Sequence, residues 1–172
     1  MARYFYDTEF VERIDGHPWI DLVSVGIVSE DGRREYYAVS TEFDPRPAVP
    51  WVRRNVLDKL PAPGDPAWRP RARIRAEVEA FLTGDGEPEL WAWHAAYDHV
   101  ALCQLFGTMT DLPRALPRFT RELRQLWEEV GSPALPPAPP DAHDALADAR
   151  HNLARWRVLA PLRAGLPPLA PR

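Results

Sequence analysis

Residues 4–10 read YFYDTEF: three aromatics run into Asp7, Thr8 and Glu9, and a further aromatic, Phe10, follows. Aromatic-rich runs favour β-strands and burial. Strand residues two apart point to the same face, so Asp7 and Glu9 project side by side. Two like charges at the end of a buried strand repel, and each loses hydration worth several kcal/mol. The nearest cations in sequence, Arg3 and Arg13, offer no obvious partner for both acids. A bound metal ion resolves the conflict, and so does an exposed strand end.

Around this stretch the chain has the proportions of a single α/β domain. Its 172 residues are enough to bury roughly 70% of the unfolded surface. Hydrophobic residues make up 45% and charged residues 27%, ordinary for a soluble globular protein. There is no apolar run of about 18 residues, so no membrane span is expected. MARYFYDTEF lacks a signal-peptide layout, and the single cysteine, Cys103, excludes an internal disulfide. Both point to the cytoplasm. Cys103 sits in the apolar run VALCQLF and reads as a small core side chain.

The net charge of −4 argues against a protein held to nucleic acid by bulk charge alone. Lys59 is the only lysine, which reads mainly as a coding bias. Two arginine clusters, Arg69, Arg71, Arg73, Arg75 and Arg114, Arg118, Arg121, Arg124, suit either phosphate contact or solvated helix faces.

Strands are expected over 3–9, 20–28 and 34–40, with the second and third joined by the turn EDG at 30–32. A short helix over 50–60 follows, then the proline-rich connection PAPGDPAWRP. An amphipathic helix over 71–83 carries Ile74, Val78, Phe81 and Leu82 at helical spacing. ELWAW (89–93) is a fourth strand, and a helix spans about 97–106. Thr120 is placed to cap a helix over 121–130. After the proline loop SPALPPAPP the last helix runs from about 142 to 160, and the tail from 164 is expected to be disordered. This order predicts a mixed sheet, antiparallel through strands 1–3, with a parallel strand 4, a short strand 5 in addition, and helices on both faces. Trp91 and Trp93 are expected in the core, whereas Trp19, Trp51 and Trp68 neighbour irregular stretches and suit an interface.

The remaining acids fall where a site belongs. In open α/β sheets, sites lie outside the carboxyl ends of strands. If the first and fourth strands are parallel, their ends present Asp7, Glu9 and Asp98, although Asp98 also suits a helix N-cap. DAHDALADAR (141–150) adds His143 and Asp148. Positions five apart lie about 140° from one another on a helix, so His143 is expected at or before the first turn and Asp148 inside it. Asp144 with Asp148 is a rival pairing, and His151 a rival base.

Taken in order, Asp7-x-Glu9, Tyr97-Asp98 and His143-x4-Asp148 resemble the motifs of the DEDDh 3′→5′ exonucleases, which have an RNase H-like fold. The likeness spans roughly residues 3–160, and HDALADA is its most specific part. YFYDTEF, EYYAVSTEFDP, AYDHVALCQLFG and PRFTRELRQLW resemble most the actinobacterial polyadenylate-specific exoribonucleases (RNase AS), relatives of RNase T. Two positions depart from the wider superfamily: Phe10-Val11-Glu12 replaces small residues after the glutamate, and His94 stands where an asparagine is common.

The resemblance implies a 3′→5′ exoribonuclease that releases nucleoside 5′-monophosphates from single-stranded RNA. It also implies a preference for adenine-rich 3′ ends and a homodimer. Asp7 would bridge two Mg²⁺ ions, Glu9 and Asp148 would complete one site, and Asp98 would help hold the other; Mn²⁺ also suits oxygen ligands. His143 would act as general base, a role open to imidazole at neutral pH. Thr8, Phe10, His94 and Arg118 are candidate contacts to the terminal nucleotide. Phe10 is equally suited to base stacking and to the core. A DNA-directed exonuclease of the same superfamily is the first alternative, and a catalytically dead nucleic-acid-binding module the second.

Overall fold

The computed structural model describes residues 2–14 and 19–164; the expected tail therefore lies, apart from Ala164, outside the described residues. Strands β1 (Ala2–Glu12), β2 (Ile20–Ser29) and β3 (Glu35–Ser40) pair antiparallel in chain order. A two-residue strand, β4 (Trp68–Arg69), lies parallel to β3. On the other side β5 (Pro88–Ala92) runs parallel to β1, and β6 (Arg121–Glu122) parallel to β5. The order across the sheet is β4-β3-β2-β1-β5-β6. The helices are α1 (Pro50–Asn55), α2 (Arg71–Thr83), α3 (Ala95–Gln104), α4 (Leu123–Glu129) and α5 (Ala145–Arg163). Among the described residues no helix is long and apolar enough to cross a membrane.

The alternation in YFYDTEF assigns the two faces. Tyr4 and Tyr6 are buried against Ile74, Val78 and Leu82 of α2 and Ala101 and Leu102 of α3. Phe5 points the other way, into Leu123 and Leu126 of α4 and Ala149, Leu153, Trp156 and Leu159 of α5. Each large side chain buried in this way is worth about 1.5–3 kcal/mol. Asp7 and Glu9 continue the Phe5 side, so both face α5.

Gly26 decides how closely α5 can approach. It sits directly opposite Asp7 on β2. A β-carbon there would lie 2.3 Å from the Ala145 carbonyl oxygen and 2.4 Å from the Leu146 nitrogen. The first turn of α5 therefore rests on bare sheet backbone beside Asp7.

Several expectations are corrected. β1 runs on to Glu12, with a register shift between Glu9 and Phe10, so the acids are inside a strand and not at its end. They are nonetheless free on one side, because the parallel pairing with β5 stops at Phe5↔Trp91. The helix expected over 50–60 breaks at Val56 into α1 and a 3₁₀ turn, Leu57–Lys59. The helix expected at 97 begins at Ala95. Thr120 does not cap α4; pairing of β6 keeps Arg121 and Glu122 extended, and the Glu122 carboxylate caps the helix through Arg124 N–H. α5 starts at Ala145, not 142, where Asp144 accepts from the Leu146 and Ala147 N–H groups. β4 lies in the stretch read as a connection, since two residues are too few to show a period.

Candidate active site

Asp7, Glu9, Asp98, His143 and Asp148 line one cleft of about 450 Å³. β1 supplies the first two, α3 the third, and the loop before α5 and its first turn the last two. A carboxylate oxygen of Glu9, a ring nitrogen of His143 and a carboxylate oxygen of Asp148 lie within 4.8 Å of one another. Asp98 is 5% exposed, and its Oδ1 accepts from the backbone N–H (2.8 Å) and the hydroxyl (2.7 Å) of Thr8. Asp98 is thereby oriented by the residue between the other two acids, a use of Thr8 that the sequence reading did not anticipate.

The electrostatics show the cost of this convergence. Burial, then the charges of Asp98, Glu9 and Asp148, push the Asp7 carboxyl well above its ordinary range. Burial, then Asp148 and Asp98, carry Glu9 up to about 8. Asp98 is also raised, chiefly by burial, while its two bonds from Thr8 oppose the shift. The Arg155 guanidinium opposes the shift on Asp7, and Lys59 opposes that on Glu9. A cluster of hard oxygen donors whose burial disfavours their own charge fits a divalent cation, and His143 adds a nitrogen at its rim.

His143 is held in the left-handed region (φ 68°), as is His94 (φ 62°). For non-glycine residues this costs about 1–3 kcal/mol each and persists only where neighbours impose it. At His143 the backbone N–H donates to Asp148 Oδ2 (2.7 Å), and the ring meets the Trp51 ring edge-on at 4.8 Å. Lys59 Nζ donates to the carbonyl of Ala142, tying the same loop to the 3₁₀ turn. At His94 the N–H donates to Glu122 Oε1 (2.9 Å) and the next N–H, of Ala95, to Glu122 Oε2 (2.7 Å).

The two rivals have other employment. Asp144 caps α5. His151 borders the cleft, but its Nε2 lies 3.1 Å from the Pro136 carbonyl and secures the proline loop. Phe10 also lines the cleft and stacks on Tyr97 (5.8 Å between centroids, 10° between planes), and Tyr97 is 51% exposed. His94 is exposed at the margin. Arg118 is not part of the cleft lining; its guanidinium donates to the Met109 carbonyl. In the first arginine cluster, Arg69 and Arg73 pair with Glu77 and Arg71 with Asp21.

Arg155, Trp93 and Tyr97 also line the cleft, and the sequence reading gave none of them a site role. A signal for Arg155 existed: it follows Asp148 by seven residues, two helical turns, and so shares its face. Trp93, expected in the core, is only partly buried.

A model of the 3′-5′ exoribonuclease Rv2179c-like domain matches residues 2–160. Two curated relatives, 3′-5′ exoribonuclease Rv2179c of Mycobacterium tuberculosis H37Rv and MT2234.1 of strain CDC 1551, are each 63% identical over 159 residues, covering 91% of this chain and 92% of theirs. Among solved structures, the nuclease domain of 3′hExo, a DEDDh family member bound to rAMP, has a TM-score of 0.52 at 12% identity, covering 95% of this chain and 92% of that one. Pop2p of S. pombe with Mg²⁺ and Mn²⁺ bound also has a TM-score of 0.52 at 12% identity, covering 95% and 83%. A 3′-exonuclease that recognises the histone mRNA stem-loop has a TM-score of 0.55 at 12% identity, covering 95% of this chain and 64% of its own. These structures share the fold: the six-stranded mixed sheet with its helices has the RNase H-like architecture of the DEDDh exonucleases.

Proposed function

Since the chain belongs to the Rv2179c-like 3′-5′ exoribonuclease domain family, we propose that its cleft receives the 3′ end of single-stranded RNA and releases nucleoside 5′-monophosphates stepwise. The observation that carries this reading is the meeting of four carboxylates and His143 in one open cleft, at the free side of β1. Asp7, Glu9, Asp98 and Asp148 would hold two Mg²⁺ ions, or Mn²⁺. When bound, such ions stabilise the attacking and leaving oxygens of an in-line displacement.

The protein's own groups do the rest. A ring nitrogen of His143 takes a proton from the attacking water, whose oxygen bonds to phosphorus as the bond to the preceding 3′ oxygen breaks. That oxygen leaves as the 3′-hydroxyl of the shortened strand once a solvent proton reaches it. Thr8 keeps Asp98 aimed at the cleft. Phe10 and Tyr97 form an aromatic platform on which the terminal base can stack, worth about 1–3 kcal/mol. His94, at the margin, contacts the same nucleotide. Arg118, outside the lining, has no part in this reading. The preference for adenine-rich ends and the homodimer rest on the resemblance to the polyadenylate-specific exoribonucleases, and the cytoplasmic location on the single cysteine.

The test is a 5′-labelled single-stranded RNA ending in adenines, incubated with the protein and Mg²⁺. A ladder shortening from the 3′ end is expected, lost with EDTA and in Asp7→Asn. Internal cleavage, or shortening that survives chelation, would remove the reading. Other 3′ ends then measure the adenine preference.

A further inference from the structure

One wall of the cleft continues past the carboxylates as a strip of alternating guanidinium and indole groups. Arg155 lies over Trp93 at 4.2 Å from the ring centroid, and Arg124 flanks Trp93 at 5.9 Å and covers Trp127 at 4.8 Å. The two indoles are 6.3 Å apart. The strip begins in the cleft, where Trp93 and Arg155 form part of the lining, and leads out onto α4. Along α5, Arg155 stands about 10 Å from Asp148, seven residues at 1.5 Å each.

The strip is built rather than incidental. Asn152, fully buried, donates to the Tyr6 carbonyl (3.0 Å) and accepts from Arg155 Nη1 (2.8 Å), which sets the guanidinium against β1. The Arg124 Nε donates to Glu128 (2.9 Å), and its terminal NH₂ groups make no hydrogen bond among the described residues. Glu122, just before α4, spends its carboxylate on three backbone N–H groups, those of His94, Ala95 and Arg124. Flat π-faces alternating with guanidinium groups match single-stranded nucleic acid, whose bases stack and whose phosphates take the forks.

We propose that the RNA strand 5′ of the terminal nucleotide leaves the cleft along Trp93, Arg155, Arg124 and Trp127. This rests on the exonuclease reading for the position of the 3′ end. It accounts for binding by a chain of net charge −4: the cations that matter are few and aligned.

The experiment is a titration of 5′-fluorescein-labelled single-stranded RNAs of two and twelve nucleotides, followed by anisotropy in an Asp7→Asn background at several salt concentrations. Arg124→Ala is expected to weaken the twelve-nucleotide strand on the order of tenfold, the value of one charged hydrogen bond. It should weaken the dinucleotide far less, and the salt slope should fall by about 0.7 for the lost phosphate contact. Arg124→Lys should keep the slope. Arg33→Ala, which removes the same charge at the β2–β3 turn, should change neither quantity. Equal Kd and slope in Arg124→Ala and Arg33→Ala, or equal losses for both strand lengths, would overturn the proposal. Weakened binding supports the strip whether or not the wild type shortens RNA in Mg²⁺, so failure of the exonuclease reading registers separately, in the cleavage ladder.

Discussion

At the scale of single residues, the cleft separates orientation from chemistry. Asp98 has one oxygen committed to Thr8, and Asp148 has one committed to the N–H of His143. The second bond couples acid and base: Asp148 holds the backbone of the residue whose ring stands beside it. His143 is the group to test. General-base catalysis contributes typically 10²–10⁴-fold, so His143→Ala is expected to lower kcat by at least a hundredfold. The four carboxylates remain, so the rise in Tm on adding Mg²⁺ or Mn²⁺ should persist. Loss of the metal-induced rise together with activity would instead make His143 a ligand. The acids were legible in the sequence because alternation in a strand and spacing on a helix are local rules. The duty of Thr8 was not, since its partner is ninety residues away.

At the scale of elements, the site depends on how closely α5 approaches the sheet. Asp148 and His143 reach Asp7 and Glu9 because α5 begins over Gly26, where a methyl group would meet backbone at 2.3 Å. Backbone cannot rotate away as a side chain can, so Gly26→Ala must move the helix. Overpacking of this kind costs about 1–3 kcal/mol, occasionally more. The expected outcome is a lower urea midpoint and a loss of activity of at least tenfold, although no carboxylate has been changed. Wild-type activity in Gly26→Ala would show that the first turn of α5 has room to spare. The short strands carry a related lesson. β4 and β6, two residues each, have no period to read, and β6 displaced the expected Thr120 cap by holding Arg121 and Glu122 extended. Thr120 instead lies 2.6 Å from the Tyr6 hydroxyl.

At the scale of the whole molecule, the buried acids set a dependence of stability on pH. The carboxyl of Glu9 is raised to about 8 in the fold, by burial and then by Asp148 and Asp98, against an ordinary value near 4.5. Between these values the folded chain keeps a proton that the unfolded chain has lost, so stability falls as pH rises. Asp7 and Asp98 shift in the same direction and add to the trend. Carboxylates lowered by ion pairs, such as Asp44 at about 2, are ionised in both states above pH 5 and contribute no slope there. In EDTA the Tm is therefore expected to fall from pH 5 to pH 8. Mg²⁺ or Mn²⁺ should raise it, most at the alkaline end, because cation and protons compete for the same oxygens. A Tm in EDTA that is flat or rises over this range would contradict the assignment.

What the sequence determined by itself was whatever short-range periodicity can encode. That includes the meander of three antiparallel strands, the strand–helix pair around Asp98, the final helix, and the identity of the acids and histidines. These follow from φ/ψ preferences and side-chain alternation, which act over a few residues. The element order already implied that β5 lies parallel to β1; only the tertiary structure decided that this pairing stops at Phe5, leaving Asp7 and Glu9 uncovered on one side. The fold also chose His143 over His151 beside Glu9 and Asp148, and set Arg155 against Trp93. Each of these depends on which surfaces exclude water from one another across the chain, and burial is a property of the assembled whole that no local run of residues carries.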